Sequence, residues 1–101
     1  MLRVYRGTSM YNRSGRYWTT DREWARQFTQ SGRDQEILVA EIDTERVFRQ
    51  DPLPRATDVD EFTHAAKEAE RLGYAAFWLD EGVGEPNSIY VLDRNVLVRS
   101  R

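Results

Sequence analysis

Between residues 58 and 72 the chain places Val59, Phe62, Ala65, Ala66, Ala69 and Leu72 on one stripe of a 3.6-residue helix. Asp58 and Asp60 load the start of this segment with negative charge and Gly73 follows its end, as the helix dipole and a C-terminal cap require. A one-sided helix must bury its stripe against another layer, and the short apolar runs on either side of it read as strands. The chain is therefore expected to fold as a sheet with helices laid on it.

Leu2 to Arg6 alternates apolar and polar, the period of a strand with one buried face, and Gly7 is expected to end it. Thr8 to Gly15 reads as a polar loop, and Tyr17-Trp18 as a short second strand. Thr20-Asp21-Arg22-Glu23 fits a capping box in which the Thr20 hydroxyl caps a helix. Trp24, Ala25 and Phe28 form the inward face of that helix, with the Trp24/Phe28 pair assigned to the core, and Ser31-Gly32 should stop it near residue 30. Ile37 to Ile42 is nearly continuous in apolar residues and is expected to be a central strand buried on both faces. Val47-Phe48 adds a short strand, and Pro52 and Pro54 make residues 50–57 a loop. After the long helix, Tyr74 to Leu79 and Ser88 to Leu92 read as strands around an acidic, Gly-rich loop, Asp80 to Asn87. Val96-Leu97-Val98 supplies a last strand, so the expected order is β, β, α, β, β, α, β, β, β.

With 101 residues the chain suffices for one domain, residues 1–101, and no linker or repeat divides it. Its 40% apolar and 32% charged residues are those of a globular protein rather than a disordered one. The net charge of −2 creates no field that demands a nucleic acid or an anionic membrane. Locally, Arg3, Arg6, Arg13 and Arg16 make the first sixteen residues basic, whereas Asp80, Glu81 and Glu85 make the later loop acidic, so an anionic ligand favours the former. Cysteine is absent, which excludes thiolate chemistry, and the single histidine, His64, builds no metal site alone. No apolar stretch suggests a signal peptide or membrane span, and the expected location is the cytoplasm.

Arg6 ends its strand beside a glycine that permits close backbone approach, an arrangement suited to presenting a guanidinium to a phosphate or ribose. Tyr17, Trp18, Thr19 and Thr20 combine flat rings with hydroxyls just before a helix start. By alternation Trp18 belongs to the core, which leaves Tyr17 and Thr19 available to a ligand.

The runs Val4-Tyr5-Arg6-Gly7 and Gly15 to Ala25, the strand from Glu36 to Ile42, and the segment from Leu72-Gly73-Tyr74 to Tyr90-Val91-Leu92-Asp93 resemble small bacterial and phage ADP-ribosyltransferase-like domains. The resemblance implies a compact α+β fold, with a mixed sheet core of two packed half-sheets, two helices, and NAD bound in the cleft between the halves. It implies that Arg6, Gly7, Tyr17, Thr19 and Asn87 bind NAD, that Arg6, Tyr17 and Glu85 are catalytic, and that no metal takes part. The family also places a glutamate near the start of a late core strand, to stabilise the oxocarbenium-like transition state as nicotinamide leaves. Here Asn87 or Ser88 falls in that register, with Glu85 and Glu81 earlier in the loop. The expected activity is transfer of ADP-ribose to a macromolecular target, a glycosyltransferase reaction, or hydrolysis of NAD. The alternative is a catalytically degenerate module of the same fold that binds a protein partner, as an inhibitor or immunity component of a phage or bacterium. An RNA-directed variant would use the arginines of residues 3–16.

Overall fold

The computed structural model describes residues 1–8, 15–29 and 36–99. Most of the Thr8 to Gly15 loop, including Arg13, and the Ser31-Gly32 helix stop lie outside the described residues. The chain forms β1 (Leu2–Gly7), β2 (Tyr17–Thr19), α1 (Arg22–Arg26), β3 (Ile37–Ile42), β4 (Val47–Phe48), α2 (Val59–Arg71), β5 (Ala76–Leu79), β6 (Ser88–Val91) and β7 (Val98–Arg99). This is an α+β domain with the element order read from the sequence.

Among the described residues the seven strands make one mixed sheet in the order β4-β5-β6-β2-β1-β3-β7, with only the β4/β5 pair parallel. β1 pairs with β3 along its whole length, from Leu2 opposite Ile42 to Gly7 opposite Ile37. Its pairing with β2 is confined to Tyr5 opposite Thr19. Instead of the two packed half-sheets expected, the strands form one continuous sheet, whose parts β4-β5-β6-β2 and β1-β3-β7 meet at a narrow seam.

The connection from β3 to β4 requires the sheet to curl. In a flat sheet these strands would lie five spacings apart, about 24 Å. From Ile42 to Val47 the chain has five Cα steps, at most about 18 Å even when extended, and residues Thr44–Arg46 are wound into a 3-10 turn. The ends of the sheet therefore approach each other, and Val4, Trp18, Ala40, Ile42, Val47, Ala76, Ile89 and Val91 meet in one buried cluster on the inner face. On the outer face Phe77 and Leu79 pack with Ala65 and Ala69 of α2, bordered by Phe62 and Tyr90. Phe62 stands edge-on to Phe77 at 5.2 Å and to Tyr90 at 4.9 Å, the arrangement that aromatic quadrupoles favour.

Several local expectations change. Asp21, not Thr20, caps α1: its Oδ1 accepts from the amides of Glu23 at 2.8 Å and Trp24 at 3.1 Å. Thr20 instead turns its hydroxyl toward the Asn87 carbonyl, 3.4 Å away. α1 closes at Arg26, with Gln27 as its C-cap. β3 is next to the sheet edge rather than central, and its Leu38, Val39 and Glu41 are only half-buried. Residues Arg94–Val96 form a 3-10 turn, leaving only Val98–Arg99 to pair with β3. α2 follows its predicted bounds closely, capped by Asp58, whose carboxylate accepts from the Glu61 amide at 3.0 Å.

Candidate functional site

The outer face of β1 and β2 carries α1 on one side, and the segment before α2 approaches from the other. Between them lies a cavity of about 290 Å³. Tyr5, Gly7, Tyr17, Thr19 and Ser88 line it from the sheet, Trp24 and Ala25 from α1, Phe28 from the turn after it, and Ala56, Thr57 and Glu81 from the loops. Directly opposed residues share a face of the sheet, and the pairs Tyr5/Thr19 and Thr19/Ser88 continue one row across β1, β2 and β6. Arg6 and Trp18, one residue beyond the paired Tyr5 and Thr19, also line the cavity, which therefore reaches the seam.

Gly7 allows α1 to lie directly on β1. A Cβ at this position would come within 2.7 Å of the Phe28 carbonyl carbon and 2.8 Å of the Phe28 Cβ. The helix and the turn after it can then present Trp24 and Phe28, edge-to-face at 6.1 Å, as one wall. Opposite, long-range pairing holds the loop after β5. Arg55 bridges Asp80 in parallel register, the Ala56 amide donates to the Asp80 carbonyl at 2.8 Å, and the Asp80 amide donates to the Pro54 carbonyl at 2.9 Å. The Asp80 carboxylate then accepts from the Gly82 amide at 2.9 Å, which fixes the turn around Glu81. Arg55 is itself held by Glu61 at 2.7 Å and Asp58 at 3.0 Å.

Arg6 is 7% exposed, and its Nη1 is buried without a hydrogen-bond partner. Loss of hydration, with a lesser contribution from the charge of Arg99, holds its pKa below the ordinary arginine value. Tyr17 is half-buried, edge-on to Tyr90 at 5.8 Å, and shares the cavity with the Glu81 carboxylate. Burial first, and then the nearby charge of Glu81, raise the pKa of this phenol well above that of free tyrosine. Thr19 is buried, and its Oγ1 accepts from the Asp21 amide at 3.3 Å.

Of the residues singled out in the sequence, Arg6, Gly7, Tyr17 and Thr19 all line this cavity. Glu85 does not; it is exposed in the loop, with its side chain near Gly82. Asn87 does not line it either, and its backbone carbonyl faces Thr20. The carboxylate that does reach the cavity is Glu81, and the residue at the start of β6 is Ser88. Tyr5, Trp24 and Phe28 are the lining residues that sequence reasoning missed. For Trp24 and Phe28 the signal was their i, i+4 spacing.

In comparison with known proteins, the chain matches no family model, no curated protein and no solved structure. The chemistry of the site therefore rests on its own residues. A buried cation with an unfilled donor suits an anion, five aromatic residues suit a flat heterocycle, and the hydroxyls of Thr19, Thr57 and Ser88 with a carboxylate suit a sugar.

A second cavity, about 280 Å³, lies under the start of α2 and is lined by Gln50, Pro52, Pro54, Asp60, Glu61 and His64. The Gln50 Oε1 there is buried without a donor. Among the described residues no cluster of His, Cys, Asp and Glu is arranged to hold a metal, and no helix is long and apolar enough to cross a membrane.

Proposed function

We propose that the protein binds NAD in the cavity over β1 and β2 and transfers its ADP-ribose to a macromolecular acceptor, a protein by preference, or to water. Carrying this reading is the convergence of Arg6, an unpaired buried cation, and Glu81, a carboxylate, on one aromatic cavity. NAD is here a substrate. Its phosphate answers the unfilled donor of Arg6, its nicotinamide the rings of Tyr17, Trp24 and Phe28, and its ribose hydroxyls Thr19 and Ser88.

In the reaction the bond between ribose C1′ and the nicotinamide nitrogen breaks, and its electron pair leaves with nicotinamide. Positive charge develops on the ribose, where a fixed carboxylate in a partly dry site stabilises it. An acceptor hydroxyl, amine or water oxygen then bonds to C1′ and releases its proton. Glu81 is assigned the role of that carboxylate in place of Glu85. Tyr17 serves as ring wall beside Glu81.

The experiment is to incubate the purified protein with NAD and follow free nicotinamide by mass spectrometry. Wild type should release it; Glu81→Gln should lower the rate by about a hundredfold or more, the scale of one lost transition-state electrostatic contact. Arg6→Ala should raise KM, and Glu85→Gln should change little. If release persists in Glu81→Gln and vanishes in Glu85→Gln, the assignment reverts to the loop carboxylate.

A second reading has its own support in Ser88, a neutral residue at the start of β6 where the resemblance expects a glutamate. On that reading the protein is a degenerate module that binds a protein partner. Absence of both nicotinamide release and NAD contacts in saturation-transfer NMR would favour it.

A further inference from the structure

On the inner face of the sheet two guanidinium groups stand without an ion-pair partner among the described residues. Arg99 in β7 lies opposite Ala40 of β3, and Ala40 lies opposite Val4 of β1. Opposed residues share a face, so Arg99 stands on the face of Val4 and of Arg6, two positions further along β1. Trp18 belongs to the same face, and the guanidinium carbon of Arg99 sits over its ring, 5.0 Å from the centroid. The indole is fixed from its other end, since Trp18 Nε1 donates to the Gly15 carbonyl at 3.0 Å.

Neither arginine forms an ion pair among the described residues. Three arginines elsewhere are satisfied: Arg55 holds two carboxylates, Arg71 holds Glu68 at 2.7 Å, and Arg16 caps the carbonyls of Val91 and Leu92. Arg6 is the contrary case, buried, with an idle donor, and facing a second cation. A like-charge pair of this kind is unfavourable unless an anion joins it, and the cavity gives an anion access to Arg6.

We infer that Arg6 and Arg99 form a two-guanidinium seat for a diphosphate group at the edge of the cavity, with Trp18 as its floor and Arg99 as the residue that favours diphosphate over monophosphate. Arg6 supplies the deep, preorganised donor and Arg99 the outer one. The two planar forks match the two phosphoryl groups of a nucleoside diphosphate or a dinucleotide. The inference deepens the proposed function and rests on it only for the identity of that diphosphate as the one in NAD.

The test uses the full chain and inorganic pyrophosphate, with orthophosphate as comparison, by titration calorimetry at fixed ionic strength. Wild type should bind pyrophosphate more tightly than orthophosphate. Arg99→Gln, at an exposed position, should weaken pyrophosphate about tenfold and orthophosphate much less, the loss of one charge-assisted contact. Arg99→Lys should recover part of the loss, because the charge remains while the fork does not. Arg6→Gln should weaken both ligands. Because loss of a buried guanidinium also perturbs folding, the Arg99 variants decide the matter. Unchanged pyrophosphate affinity in Arg99→Gln, an equal loss for both anions, or no pyrophosphate binding by wild type would each overturn the seat. Nicotinamide release separates the two claims. Pyrophosphate bound through both arginines without NAD cleavage sinks the NAD chemistry and leaves the seat standing, whereas NAD cleavage without pyrophosphate binding does the reverse.

Discussion

Tyr17 of β2 and Glu81, two residues beyond the end of β5, line the same cavity close enough for the carboxylate charge to act on the phenol, so the sheet meets there the loop that closes the cavity. Glu81 directly precedes the two glycines of that loop, Gly82 at φ 130° and Gly84 at φ 80°.

This proximity predicts a pH effect of definite sign. The folded pKa of Tyr17 is raised above its unfolded value of 10.0, so its contribution to stability is complete below about pH 10 and lost as pH rises through the folded value. Ultraviolet titration of tyrosinate should resolve a late component that Tyr17→Phe removes and that Glu81→Gln moves down without removing. A titration unaltered by either substitution would contradict the proximity of Tyr17 to Glu81.

Gly7→Ala should destabilise the fold by about 1–3 kcal/mol, because the added methyl meets the α1 backbone rather than the end of a pliable side chain. Urea unfolding gives the number. Displacement of α1 should also move Trp24, so its fluorescence reports the same event, and wild-type stability in the variant would mean that the helix is not seated on β1.

Capping distinguishes two adjacent residues. Asp21→Ala should cost about 1 kcal/mol, since two amides lose their acceptor, whereas Thr20→Ala removes only one long hydrogen bond at 3.4 Å and should cost clearly less. Thermal melts of the two variants decide the order.

Element order was legible in the sequence because each segment carries its own period, as in the alternation of Leu2 to Arg6 and the stripe from Val59 to Leu72. Arg6, Tyr17 and Thr19 were also legible as a group, since all sit at strand ends that flank one loop. The choice between Glu81 and Glu85 was not, because it depends on Arg55 meeting Asp80, a contact between segments 25 residues apart. Tyr5, Trp24 and Phe28 were hidden for another reason. A half-buried aromatic on an amphipathic segment looks the same in sequence whether it faces a core or a cavity. The Asp21 cap was missed because Thr20 and Asp21 are both good capping residues, and strand geometry, not preference, decides which one stands at the helix start.

The narrow join between β1 and β2 has a mechanical meaning. Six opposed residues knit β1 to β3 but a single pair, Tyr5 and Thr19, stitches the lobes to each other, directly beneath the cavity. A molecule seated there touches both lobes and acts as a clasp. Its arrival should slow the breathing of the sheet at its thinnest point, so that the amides of Tyr5 and Thr19 exchange with solvent more slowly in the bound protein than in the free one.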